Sequence, residues 1–165
     1  MSPVDPSRGG PLDPPRLLPP MPSAPHRGPG GGWLTDVPPD PPWVIGMWGA
    51  SCWYCKKGLQ LLVPMAKDLG LPFVALHSPE FPHDIDEGYP ERILDELGLP
   101  IGMEGVYHHR DASAWTEMVA MRYWPTFLIA DKERRATFVM VGYAGDRDSM
   151  VGDFRKAMEA VAPGA

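Results

Sequence analysis

The stretch Met47-Trp48-Gly49-Ala50-Ser51-Cys52-Trp53-Tyr54-Cys55-Lys56-Lys57 decides how the rest of the chain is read. It holds both cysteines of the sequence, at positions i and i+3. The run before it, Val44-Ile45-Gly46-Met47-Trp48, has the composition of a buried strand. After it, Leu59, Leu62, Val63, Ala66 and Leu69 recur at helical spacing and form one stripe. A Cys-x-x-Cys pair where a strand turns into a helix is a redox signature with a physical basis. Residues i and i+3 share a helix face, so the two sulfurs can meet. Cys52 falls near the helix N-cap, where unpaired N–H groups and the positive end of the dipole favour a thiolate. A free thiol has a pKa of about 8.5, and such positions lower it to roughly 3.5–7.5. Lys56 and Lys57 add positive charge at once. This geometry lets Cys52 attack a partner disulfide and Cys55, one turn deeper, resolve the mixed disulfide.

Other readings of the pair fit less well. A bridge across so short a loop removes little chain entropy, so it makes a poor structural staple. A structural zinc site wants four ligands, and there is no second Cys pair; His26, His77, His83, His108 and His109 are scattered. A thiol-based metal carrier would use Cys52 and Cys55 with His108 or His109, without the wider cysteine spacing such carriers favour. Two core cysteines three apart by coincidence would not explain the strand-then-helix context.

Composition narrows the class. A chain of 165 residues with 44% hydrophobic content can bury one core, so one domain is expected. The formal net charge of −6 leaves no basic footprint for nucleic acid. No apolar run approaches the roughly 18–20 residues that span a membrane. A single close Cys pair is not a disulfide-stapled scaffold.

Residues 1–42 differ in kind from the rest. They hold 14 of the 22 prolines, and few apolar residues apart from Leu12, Leu17, Leu18, Trp33 and Leu34. Such a segment is expected to be disordered or polyproline-like, with residues 43–165 forming the folded domain. It has no basic start followed by an apolar core, as a secretory signal has. The expected compartment is the cytoplasm, or outside it if a signal or anchor belongs to a longer chain.

From Trp43 onward the pattern predicts a strand to Trp48, a helix from Cys52 to Asp68 kinked at Pro64 and capped by Gly70, and a strand from Phe73 to His77. Strand–helix–strand in about 30 residues predicts a parallel pair. Ser78-Pro79-Glu80-Phe81-Pro82-His83-Asp84 reads as a loop. A short helix is predicted over Pro90–Leu97, an extended segment over Ile101–Tyr107, and a helix capped by Asp111 or Ser113 that carries Trp115, Met118 and Val119. Tyr123–Ala130 and Ala136–Val141, joined by a polar turn, predict an antiparallel hairpin. A last helix follows Asp146 or Asp148 and runs to Val161, burying Met150, Phe154 and Met158.

The order β-α-β, helical insert, β-β-α, with Trp48-x-x-x-Cys52-x-x-Cys55 and Trp124-Pro125-Thr126-Phe127-Leu128-Ile129, resembles the thioredoxin fold. That is an α/β architecture with a central mixed sheet flanked by helices. The insert, and more faintly His77-Ser78-Pro79-Glu80-Phe81, resembles the TlpA/ResA-like branch, thioredoxins linked to extracytoplasmic thiol reduction and cytochrome c maturation. The resemblance implies that Pro125 is cis and lies beside the Cys pair. It also implies that the Trp124 backbone pairs with an extended substrate segment. Two departures stand out. Family members often carry a buried acid six residues before or after the first Cys, and Gly46 and Gly58 stand there in this chain. Glu80 is the substitute proton acceptor the sequence offers, but a solvated loop glutamate is the reading its position favours.

The reading that results is a thiol–disulfide oxidoreductase, acting as a reductant more than an oxidant. Cys52 and Cys55 are its catalytic pair, and Trp53, Tyr54, Trp124 and Pro125 contact substrate. It needs no cofactor and no metal. Its partners are protein disulfides and an upstream thiol donor, and it acts as a monomer. The alternatives are a non-catalytic thioredoxin-fold binding module and the metal carrier above.

Overall fold

Strand β2 (Trp43–Trp48) is the strand from which the architecture is built. All six of its residues are buried, because both of its faces are covered. Val44 and Trp48 point to one face; Trp43, Ile45 and Met47 point to the other, with the two-residue period of a strand. The computed structural model describes residues 9–20, 38–86, 88–109, 124–142 and 147–161.

The remaining strands are β1 (Gly10–Leu17), β3 (Phe73–His77), β4 (Val106–His109), β5 (Thr126–Ala130) and β6 (Arg135–Val141). They form a mixed six-stranded sheet in the order β1-β6-β5-β2-β3-β4. β2 runs parallel to β3, and β3 parallel to β4. β2 and β5 are antiparallel, as are β5 and β6. The helices are α1 (Trp53–Asp68), α2 (Tyr89–Glu96) and α3 (Arg147–Val161). Their apolar stripes meet one face of the sheet: Leu59, Leu62 and Val63 from α1, Ile93 and Leu94 from α2, Met150 and Phe154 from α3. The expected β-α-β, insert, β-β-α order is therefore present.

Several local expectations shift. α1 runs through Pro64, whose ring is exposed, and stops where Gly70 adopts φ 71°. The extended segment expected over Ile101–Tyr107 lies later, at Val106–His109. Gly102 and Gly105 break the earlier part with φ values of 95° and 82°. The helix expected after Asp111 or Ser113 lies outside the described residues.

The larger correction is at the N-terminus. Gly10–Leu17 is not a polyproline-like coil but the edge strand of the sheet, antiparallel to β6. An edge strand needs backbone donors on one side only, so Pro11, Pro14 and Pro15 are tolerated there. The ladder breaks its register between Pro11 and Arg16. Leu18 supplies the apolar anchor: it is 4% exposed and packs with Ile45, Leu128 and Ala136 on the second face of the sheet. Its amide donates to the Arg134 carbonyl at 2.9 Å.

Arg134 then clasps the segment. It has φ 62°, in the turn that Asp131 organises by accepting the Glu133 and Arg135 amides at 3.0 and 2.9 Å. Its guanidinium donates to the Pro19 carbonyl at 3.0 Å and lies 5.8 Å from the Trp43 ring centroid. Trp43 Nε1 in turn donates to the Pro39 carbonyl at 2.7 Å.

Two stability measurements follow. Leu18→Ala should cost about 2–5 kcal/mol in urea unfolding, the range for a buried leucine, although its position alone marks it as tail. His108, buried in β4, has its imidazole pushed down from 6.5 to about 4 by burial. As pH falls through that window, the unfolded chain takes up a proton that folded His108 refuses. Stability should therefore decline from pH 6.5 toward pH 4, by on the order of 3 kcal/mol from this group. Urea midpoints of His108→Gln across the same window should lose that part of the slope.

Candidate active site

Cys52 is the N-cap of α1, in extended backbone conformation with φ −88° and ψ 113°. Its Sγ accepts the Cys55 amide at 3.1 Å, so one of the helix's unpaired donors points at this sulfur. Cys52 and Cys55 are joined as a disulfide across three residues. Cys55 is fully buried, while Cys52 keeps 8% exposure, so Cys52 is the more exposed residue of the pair. The Gly49 amide donates to Cys55 Sγ at 3.4 Å, which closes the loop between β2 and α1 over the inner sulfur.

The other expected site residues divide into two groups. Trp53 and Tyr54 are exposed beside the disulfide and meet edge to face at 5.0 Å, with Lys57 Nζ 5.4 Å from the Trp53 centroid. Pro125 is buried, follows a cis Trp124–Pro125 bond, and sits against α1: its Cγ is 3.6 Å from where a Cβ on Gly58 would lie. Trp124 is half-buried and lies against the Cys loop, its Cδ1 3.3 Å from a notional Gly49 Cβ. Its Nε1 donates to the Ser78 carbonyl at 2.8 Å. Cys52, Cys55, Trp124 and Pro125 are thus brought to the same end of the sheet. His108 and His109 are on β4, which pairs with β3 and not with β2.

The missing acids have a steric explanation. Gly46 and Gly58 face each other across the Phe127 ring. A Cβ on Gly46 would come within 3.0 Å of Phe127 and 2.9 Å of Phe73. A Cβ on Gly58 would come within 2.7 Å of Phe127. The aromatic ring fills the space that a side chain at either position would need, and glycine is what lets it lie there.

Glu80 is exposed, as a solvated loop glutamate would be, and only its backbone takes part. The buried carboxylate of this region is Asp84, which the sequence reading missed. Asp84 is fully buried and accepts from the Ser51 hydroxyl at 2.5 Å, the Glu80 amide at 2.9 Å and the Phe81 amide at 3.1 Å. Burial alone would raise its carboxyl. The Ser51 bond, the Phe81 and Glu80 amides and nearby His83 outweigh this and hold it below the usual carboxylate value. Its signal in the sequence was Pro82 at the first position of a helical turn with an acid two residues on, a capping pattern hidden inside a loop composition. His77 also supports the Cys loop. It is buried, meets Trp48 edge to face at 4.9 Å, and its Nε2 accepts the Ala50 amide at 3.3 Å.

Gly58→Glu should therefore destabilise the fold by more than about 3 kcal/mol. Overpacking against Phe127 contributes roughly 1–3 kcal/mol, and a carboxylate buried without partners adds to it. Adding Phe127→Ala should recover part of the overpacking loss, read as a positive coupling in a double-mutant cycle by urea unfolding.

No family model matches the chain, and no curated protein matches it. Solved structures do. A thioredoxin-like protein solved in solution in its oxidised form superposes with a TM-score of 0.60 at 18% identity, over 93% of this chain and 97% of that one. A thio-disulfide isomerase from Thermus thermophilus gives 0.53 at 19% identity, over 87% of this chain and 95% of that one. A secreted Mycobacterium tuberculosis disulfide oxidoreductase, described as homologous to E. coli DsbE, gives 0.50 at 16% identity, over 68% and 79%. The chain has the thioredoxin-like fold, with Cys52 and Cys55 opening the helix after the central strand and cis-Pro125 leading into the strand beside it.

Proposed function

We propose that the protein is a thiol–disulfide oxidoreductase that reduces protein disulfides. One observation carries this reading: the cysteine at the N-cap of α1 is both the more exposed member of the Cys pair and the acceptor of a helix amide. In the reduced protein that amide stabilises the Cys52 thiolate. The thiolate attacks a substrate disulfide, forms a mixed disulfide and expels the first substrate thiolate. Cys55 Sγ then attacks Cys52 Sγ, the second substrate sulfur departs, and the Cys55 proton goes to a departing thiolate. Two electrons pass to the substrate and the Cys52–Cys55 disulfide forms. An upstream thiol donor returns the pair to the dithiol.

The substrate chain lies against the Trp124–Pro125 backbone by strand-like pairing. Trp53 and Tyr54, 59% and 51% exposed, supply the apolar contact beside Cys52. No charged side chain lies between the cysteines, so nothing there drives the thiol pKa to the very low values of strong oxidants. That supports the reducing direction. The reaction needs no cofactor, since the electrons reside on the sulfurs. No helix among the described residues is long and apolar enough to cross a membrane.

Cys52→Ser should reduce dithiothreitol-driven insulin reduction to the uncatalysed rate. Cys55→Ser should instead accumulate a mixed disulfide with substrate, visible as an added mass that thiol reductants remove. Equilibration in glutathione buffers, with free thiols alkylated and counted, should give a two-electron transition nearer −270 mV than −120 mV, the rough values for thioredoxin and for a strong oxidant. If Cys52→Ser retains full activity, or no disulfide forms at any poise, the oxidoreductase reading is wrong.

A further inference from the structure

The mechanism above leaves Asp84, a fully buried carboxylate next to the Cys loop, unused. Asp84 belongs to the turn Pro82–Ile85, and it is the point where that turn is fastened to the Cys loop. Its two oxygens divide the work. Oδ1 takes the hydroxyl of Ser51, the residue bonded to Cys52; Oδ2 takes the amides of Glu80 and Phe81. Oδ2 also lies 3.6 Å from where a Cβ on Gly49 would stand, so the carboxylate packs against the chain leading into Cys52. Two more fastenings join the same segments. Trp124 Nε1 reaches the Ser78 carbonyl, and the Ala50 amide reaches His77 Nε2. Of these three ties, only the one through Asp84 carries a formal negative charge.

We propose that Asp84 is a positioning residue of the dithiol site: it clamps the Ser78–Asp84 loop to Ser51 and holds a fixed negative charge beside Cys52 that makes the dithiol more reducing. The proposal rests on the oxidoreductase reading. Its physics has two parts. The clamp fixes the residue preceding Cys52, and hence the direction from which Cys52 Sγ meets an incoming disulfide. The charge opposes a second negative charge on the neighbouring Cys52. A like charge disfavours the thiolate and so disfavours the dithiol form relative to the disulfide. The pair is then a stronger electron donor. The balance is that of exchange with glutathione: protein dithiol plus oxidised glutathione gives protein disulfide plus two glutathione thiols. Removing the charge shifts this equilibrium toward the protein dithiol. The other titratable groups described at this loop are His83, whose Nε2 lies 3.6 Å from Asp84 Oδ1, His77 beneath Ala50, and exposed Glu80.

Asp84→Asn keeps the shape and an accepting oxygen while removing the charge. It should lower the equilibrium constant for oxidation by glutathione about threefold to tenfold, an upward shift in potential of roughly 15–30 mV. The Cys52 thiol should also titrate at lower pH, followed by its iodoacetamide reaction rate. Ser51→Ala keeps the charge and removes only the hydroxyl tie. It should slow insulin reduction at saturating substrate about threefold or more while leaving KM within twofold, and it provides the test if Asp84→Asn does not fold. Asp84→Asn with an unchanged potential and an unchanged thiol titration overturns the charge part. Ser51→Ala with an unchanged maximal rate overturns the clamp. If the wild-type protein itself shows no reversible dithiol–disulfide transition, the oxidoreductase reading fails first, and the two failures are told apart by that control.

Discussion

The height of helix α1 above the sheet is set by one ring. Phe127, fully buried in β5, lies between Gly46 of β2 and Gly58 of α1, and any Cβ at either glycine would overlap it or its neighbour Phe73. Three elements are thus locked at a fixed spacing through one aromatic side chain. Gly58 is three residues beyond Cys55, so it lies one turn along the face that carries the inner sulfur. Pro125, two residues before Phe127, touches the same point of the helix. The spacing that Phe127 imposes is therefore also the spacing between the Cys pair and the cis-proline. A smaller side chain at position 127 would leave a void in that layer, and interiors this close-packed do not absorb a void without cost.

The same ring removes an acid from the chemistry. The carboxylate that the thioredoxin resemblance leads one to expect at position 46 or 58 cannot coexist with Phe127 where it stands. What remains near the Cys loop are a buried imidazole, which accepts an amide hydrogen bond, and a buried carboxylate held by three donors. Both bind the residues just before Cys52: His77 holds the Ala50 amide and Asp84 the Ser51 hydroxyl.

Much of this was legible in the sequence because the signals were local. The strand at Trp43–Trp48, the Cys-x-x-Cys opening of the helix, the stop at Gly70 and the hairpin around Asp131 each depend on residues close together in the chain. The edge strand Gly10–Leu17 was not legible, because its partner is more than a hundred residues away and its prolines argue against any strand whose amides must all be paired. Only the pairing with β6, the burial of Leu18 and the Arg134 clasp reveal why it is there. Gly46 and Gly58 were visible as departures, but their cause was not, since it lies in the side chain of Phe127, far along the sequence from both. Asp84 was read as one more polar residue of a loop. Its role emerges only when Ser51 is brought to it across 33 positions of sequence.

The electrostatics of Cys52 then become a contest of known signs. The helix N-terminus favours the thiolate, an effect worth about 0.3–1 kcal/mol at exposed ends and up to roughly 2 kcal/mol in partly buried geometry. A neighbouring carboxylate opposes it. Three donors spread that carboxylate's charge, so its opposition falls well short of that of a bare ion in a dry interior. Under the proposed role of Asp84, the two influences act on Cys52 with opposite signs. Nucleophilicity falls as pKa falls, and the best attacking thiol titrates near ambient pH, so a thiolate that is too strongly favoured attacks more slowly. A strong oxidant requires the opposite arrangement, in which every nearby group favours the thiolate. The placement of Asp84 against Ser51, next to an N-capping cysteine, thus adds to the proposed reducing direction a support that is independent of the two residues between the cysteines.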